Sequence, residues 1–200
     1  MAFDGIVTKK IINELKNDLI GGKIEQIFQN DKNTVLFKIY ANSSHFSLNI
    51  CIDAHNCRIN LTNHPKANPL VAPNFCMLLR KHLVGGRILK IETFGLERLV
   101  KFDISTVNEF NELENKTLII ELMGKHSNII LLNSKNIIID ALRHITASDE
   151  HYRDILPSRL YVFPNSEKKE FTSINSFSNF YSEIEKQIDN IDNDNNIEAL

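Results

Sequence analysis

Leu19-Ile20-Gly21-Gly22-Lys23-Ile24-Glu25-Gln26-Ile27 and, 64 residues later, Leu83-Val84-Gly85-Gly86-Arg87-Ile88-Leu89-Lys90-Ile91 carry one pattern twice. An apolar helix end runs into a glycine pair, and an alternating segment follows. Glycine after a helix supplies the positive φ of a C-terminal cap, and alternation marks a half-buried strand. The spacing therefore predicts two related units, each a helix, a Gly-Gly break and a strand hairpin. Two copies are too few for a solenoid, which needs at least three stacked repeats.

Working outward, Thr8 to Leu19 reads as an amphipathic helix with Ile11, Ile12, Leu15 and Leu19 on one side. Lys23 to Gln29, Thr34 to Ala41, His45 to Asp53 and Arg58 to Thr62 read as strands, rich in β-branched and aromatic residues. Residues 63–73 hold Pro65, Pro69 and Pro73 and read as a loop. A second helix is predicted over Pro73 to Leu83, proline being tolerated in a first turn. After the second glycine pair, a strand is followed by further strands at Arg98 to Ser105, Thr117 to Met123, Asn128 to Leu132 and Ile137 to Leu142. Residues 143–164 read as mostly irregular, and Phe177 to Ile188 as a helix before a polar break at 190–196. Many strands and few helices predict an α+β protein, a β-sandwich-like core with flanking helices.

Composition sets the class. The 200 residues are 42% hydrophobic and 24% charged, which is ordinary for a globular protein. No stretch approaches the roughly 18 uninterrupted apolar residues of a membrane span, and the N-terminus shows no secretory h-region. Cys51, Cys57 and Cys76 are an odd set in a chain with a real core, which predicts reduced thiols and a cytoplasmic protein. Residues 1–169 hold 22 Lys+Arg against 18 Asp+Glu, a mildly basic balance hidden by the acidic tail. Such a balance permits a local nucleic-acid patch without demanding one.

Two blocks combine cations with glycine. Phe75 to Ile88 contains Arg80-Lys81-His82 and Gly85-Gly86-Arg87; Glu121 to Leu131 contains Gly124-Lys125-His126-Ser127-Asn128. Backbone amides and cationic side chains that approach a ligand together usually meet phosphate. Arg80 and Lys81 cannot both face the core, so a solvated helix face accounts for them equally well. The glycine pair of the first block reads best as a helix cap. The second block is equipped for an anion and equally for an ordinary turn. The sequence around His126 makes no case for a general base. Glu97-Arg98, after Gly95, reads either as an oriented guanidinium fork or as a surface ion pair worth under about 1 kcal/mol. Asp4 alone reads as a surface acid beside a helix. Arg58, Arg143, Arg153 and Arg159 add cations. The Cys51, His55, Cys57, His64 spacing matches no standard zinc motif. No nucleotide-binding, nucleophile-elbow or kinase motif is visible, so no cofactor is expected.

With Phe3-Asp4-Gly5-Ile6-Val7-Thr8 and Gly95-Leu96-Glu97-Arg98, these blocks resemble the N-terminal NFACT domain of the ribosome quality-control tailing factors, over about residues 2 to 164. Bacterial members of that family have also been labelled fibronectin-binding proteins. The resemblance implies a domain at 1–170, a helical and polar linker at 171–200, and further helix-hairpin-helix, coiled-coil and RNA-contacting regions beyond. It implies the fold of the formamidopyrimidine-DNA glycosylase N-terminal domain. It does not imply that enzyme's chemistry, because the chain opens Met1-Ala2-Phe3 without the catalytic proline and glutamate.

As a function, the resemblance implies an RNA-binding module that is not an enzyme. Its partners would be alanyl-tRNA and a large ribosomal subunit holding a stalled nascent chain, with alanine tailing as the outcome. Glu97, Arg98 and Asp4 would contact tRNA. Arg80, Lys81, Arg87, Lys125 and His126 would supply phosphate contacts. The family usually carries Asp where this chain has Glu97. The alternative is a fibronectin-binding surface adhesin.

Overall fold

Each predicted glycine pair ends a helix, and the two pairs meet at the centre of one sheet. A computed structural model describes residues 4–147 and 153–164. The helix expected at 177–188 and the linker at 171–200 lie outside the described residues. The order is α1 (Gly5–Leu19), β1 (Lys23–Asp31), β2 (Thr34–Ala41), β3 (Ser44–Cys51), β4 (Arg58–Leu61), α2 (Asn74–Leu83), β5 (Arg87–Thr93), β6 (Leu99–Val107), β7 (Leu113–Glu121), β8 (Asn128–Leu132) and β9 (Ile138–Ala141). The strands form a nine-stranded sheet in the order β4-β3-β2-β1-β5-β6-β7-β8-β9, antiparallel throughout. The fold is therefore α+β. The separate stacked sheets of a sandwich are replaced by one sheet, because β1 and β5 join the halves at Lys23 and Arg87.

That junction is pseudo-symmetric to the atom. Gly21 N–H donates to Ile88 O at 2.8 Å, and its counterpart Gly85 N–H donates to Ile24 O at 2.8 Å. Ile24 N–H reaches Gly86 O at 2.9 Å, and Ile88 N–H reaches Gly22 O at 2.9 Å. The first glycine of each pair is conformational, with φ +81° at Gly21 and +86° at Gly85. The second is there for packing: a Cβ on Gly22 would lie 2.8 Å from Ile39 Cγ2, and one on Gly86 2.9 Å from Thr106 Cγ2.

The helices cross over between halves. Helix α1 packs on β5 and β2, and α2 on β1 and β6. Ile12, Leu15 and Leu19 share one core with Cys76, Leu79 and Leu83, and with strand residues from both halves. The sheet curls until distant connections touch. Arg143, after β9, donates to Asn33 Oδ1 at 2.9 Å and Ile52 O at 3.1 Å in the first half, and to Lys125 O at 3.2 Å and Ser127 O at 3.3 Å in the second. On the outer face of β6 to β9, Leu99, Ile119, Ile130, Leu132 and Ile138 form a second cluster. Ile155 and Tyr161 of the following irregular segment cover it. Strand β8 is thus buried on both faces, which is why it reads Asn-Ile-Ile-Leu-Leu without alternation.

Candidate RNA-binding site at one lip of the sheet

The turn between β5 and β6 brings together two of the motifs that sequence keeps more than ninety residues apart. Glu97 N–H bonds Phe94 O at 2.8 Å, closing the turn Phe94-Gly95-Leu96-Glu97. Gly5, the first residue of α1, lies directly on it: a Cβ there would stand 1.8 Å from Leu96 O. Only glycine permits that approach, so Asp4-Gly5 and Gly95 to Arg98 are two sides of one surface. Asp4 caps the helix, its Oδ1 accepting from Val7 N–H at 2.9 Å, while its carbonyl accepts from Thr8 Oγ1 at 2.6 Å. The capping role of Asp4 is legible in the sequence, since Asp is a preferred N-cap, and it moves the helix start from the expected Thr8 to Gly5.

Glu97 and Arg98 are both half-buried. Among the described residues the Arg98 guanidinium has no hydrogen-bond or ion-pair partner, and its carbonyl accepts Leu122 N–H at 2.8 Å. That bond ties the turn to the end of β7, three residues before Lys125.

Under this lip sits a charge cluster that sequence reading passed over. Glu121 is fully buried. It accepts from Arg153 Nη2 at 2.6 Å and from Tyr161 Oη at 2.7 Å. Burial, and then the Glu121 carboxylate, push the Tyr161 phenol up, so it stays a donor. For Arg153, burial alone would lower the pKa, and the Glu121 carboxylate more than offsets it. Arg153 Nη1 also holds Val162 O at 2.8 Å. Arg153 is therefore a structural cation and not an exposed one. The available signal was a carboxylate ending the apolar run Leu118 to Ile120.

The other expected phosphate contacts are dispersed. Arg80 Nε donates to Ile27 O at 2.6 Å, and its guanidinium lies 5.4 Å from the Phe28 ring centre. It closes the edge that β1 leaves unpaired by β5. Lys81 is exposed and pairs with Glu109 at 3.1 Å. Arg87 Nη1 caps Gly21 O at 3.0 Å, at the pseudo-symmetric junction. Lys125 and His126 are exposed in a 3-10 turn, Gly124–His126, and Lys125 O accepts from Arg143. The structure thus brings Asp4 to the Glu97-Arg98 turn through the Gly5 contact, leaves Lys125 and His126 in the 3-10 turn that follows β7, and puts Arg80, Lys81 and Arg87 elsewhere. Among the described residues no group of three or more His, Cys, Asp or Glu side chains is placed to hold a metal ion. No helix among them is long and apolar enough to cross a membrane.

Comparison with known proteins follows the same geometry. The family profile described as NFACT N-terminal and middle domains matches residues 4–199, well beyond Pro164, where the resemblance read from sequence ends. The Rqc2 homolog RqcH of Bacillus subtilis is 40% identical over 170 residues, covering 84% of this chain and 30% of that protein. The human ribosome quality control complex subunit NEMF is 25% identical over 144 residues, covering 72% of this chain and 12% of its own length. The chain spans about a third of the length of the bacterial relatives. Among solved structures, the N-terminal domain of fibronectin-binding protein PavA from Streptococcus pneumoniae superposes with a TM-score of 0.83 at 33% identity, covering 92% of this chain and 69% of that one. The N-terminal part of the fibronectin/fibrinogen-binding protein from Streptococcus suis gives 0.80 at 36% identity, covering 82% and 62%. Fold, motif order and profile agree, and the chain belongs to the NFACT family together with the Rqc2 homologues and NEMF.

Proposed function

We propose that this chain is the RNA-binding module of a ribosome quality-control factor. It would act on stalled large ribosomal subunits, recruiting alanyl-tRNA for alanine tailing of the nascent chain. The observation that carries this reading is the convergence of Asp4-Gly5 on the Gly95 to Arg98 turn, with an Arg98 guanidinium that no described residue engages. A planar fork held at a lip and not neutralised by any described residue is suited to phosphate or a base edge. Peptide-bond chemistry belongs to the ribosome, so the module positions tRNA and is not an enzyme; its place is the cytoplasm. The reading carries with it the kinship to the glycosylase N-terminal domain, without that enzyme's catalytic groups.

The test is tRNA binding by the full-length protein at two salt concentrations, native against Glu97→Ala/Arg98→Ala. Native binding should fall with salt, as counterion release requires, and the double variant should lose most of it. Unchanged binding and tailing in the variant would remove the assignment. The names of the solved neighbours favour a second reading, a fibronectin-binding adhesin. Surface labelling of intact cells separates the two, since an adhesin must be labelled and a ribosome factor must not.

A further inference from the structure

We propose that Phe94 and Phe163 form a stacking shelf for an unpaired RNA base beside Arg98. Their rings meet edge-to-face, 5.2 Å between centres at 66°. Both are large apolar side chains, yet Phe94 is 38% and Phe163 48% exposed, and Val162 between Tyr161 and Phe163 is 49% exposed. An edge-to-face pair leaves the outer ring surfaces open to a third aromatic plane.

The shelf is anchored. On its inner side Phe163 meets Tyr161 at 5.3 Å and 73°. Tyr161 is itself buried, bonded to Glu121 at 2.7 Å, with the Arg153 guanidinium 5.7 Å from its ring centre. Phe94 is fixed by the turn its carbonyl closes. Rigid exposed aromatics are what stacking needs, because ordering flexible rings on binding would consume the gain.

Charge decides the occupant. Arg98 lies four residues after Phe94 in the same turn, and Lys125 is exposed three residues beyond the Leu122 amide that bonds the Arg98 carbonyl. Aromatic faces interleaved with cations are the recognition mode for single-stranded RNA, the base on the ring and the phosphate on the cation. A purely apolar partner would leave Arg98 unmatched. The inference rests on the reading of Arg98 as a tRNA contact and adds the nucleobase half of that contact.

The test uses full-length protein and tRNA, with Phe94→Ala, Phe163→Ala, Phe94→Leu, Phe94→Trp and Arg98→Ala, all checked for folding by thermal melting. Each Phe→Ala change should weaken binding roughly 5- to 150-fold, the range for loss of one stacked base. The salt slope should stay unchanged, since stacking releases no counterions, whereas Arg98→Ala should lower it by about one. Phe94→Leu keeps apolar volume without a ring and should bind as poorly as Phe94→Ala. Phe94→Trp should bind at least as well as native, since the larger ring keeps the stacking face. Native-like binding by both Phe→Ala variants, or by Phe94→Leu, overturns the shelf while Arg98→Ala still reports on the site. Native-like binding by Arg98→Ala as well removes the tRNA reading and the shelf together.

Discussion

Replacing Glu121 by Leu should be among the most damaging single changes in the second half of the sheet, and further substitution should undo the damage. The carboxylate is fully buried and takes one hydrogen bond on each oxygen, from Arg153 and from Tyr161. The Arg153 side chain is only 11% exposed. Leucine would leave that guanidinium desolvated without its counter-charge, and breaking a buried pair from one side costs about 3–5 kcal/mol. Losing the Tyr161 partner adds about 1 kcal/mol, the net worth of a neutral hydrogen bond. In a protein of this size each kcal/mol is about 2–4 °C, so melting should drop by at least roughly 8 °C. Glu121→Gln should be milder. Its carbonyl oxygen can face Arg153 while its amide donates to the Tyr161 oxygen, leaving no donor opposed to a donor. The triple variant Glu121→Leu/Arg153→Met/Tyr161→Phe replaces all three of these side chains. It should recover to within about 2 kcal/mol of native, because well-packed apolar groups often match a buried ion pair. Urea unfolding with a constant m-value measures all three. A cost below about 1 kcal/mol for Glu121→Leu, or a triple variant no better than the single one, would refute the buried-pair account.

Gly5→Ala should detach the start of α1 from the β5–β6 turn, since its Cβ would overlap Leu96 O at 1.8 Å. Urea unfolding should show a loss of roughly 1–3 kcal/mol, the range for overpacking, and tRNA affinity should fall with Arg98 intact. Gly21→Ala and Gly85→Ala should cost about 1–2 kcal/mol each, the left-handed penalty. Their midpoints should agree closely, because the two sites share φ, hydrogen bonds and open space. His82 is held below the usual histidine pKa by burial, then by Lys116 and Lys81. A depressed base is protonated more readily when unfolded, so its contribution is present above about pH 6.5 and is lost as pH falls toward the folded value. Urea midpoints at pH 7.5 and 5.5 should therefore diverge less in His82→Leu than in the native protein.

The Gly-Gly breaks gave away the helix ends and the repeat because they use local rules, positive φ and period. Strand β7 was harder. It begins at Leu113, four residues before the expected Thr117, because Glu114, Asn115 and Lys116 pair across from Thr106, Ser105 and Ile104 in a hairpin whose polar residues hide the strand. Nothing local marks Leu113 as a strand start; its partner Val107 does. The same holds for the site. Asp4 and Arg98 stand out only as polar residues in short motifs, and the approach of their two segments depends on a glycine contact that joins positions 5 and 96. Glu121 was hidden for the opposite reason, since its partners lie 32 and 40 residues further along, in a segment without regular structure.

The pseudo-symmetry also shows why the second half holds the candidate site. Shifting Gly95 to Arg98 back by the 64-residue repeat gives Asp31, Lys32, Asn33 and Thr34, the turn between β1 and β2. There the polar groups are spent inside the protein. Asp31 accepts from Asn33 N–H, Thr34 Oγ1 and Lys66 Nζ, and although its partial burial alone would raise it, those donors hold its pKa below the usual value. Asn33 bonds Asp53 and Arg143. Asn30, the counterpart of Phe94, fastens the loop before α2 through Lys66 O and Asn68 Oδ1. One fold therefore presents the same turn twice. The first copy closes the sheet on itself through Arg143; the second has Gly5 against its backbone, an arginine that no described residue engages, and exposed rings at its edge. A ligand-binding lip needs groups the fold does not consume, and of the two turns the second has them.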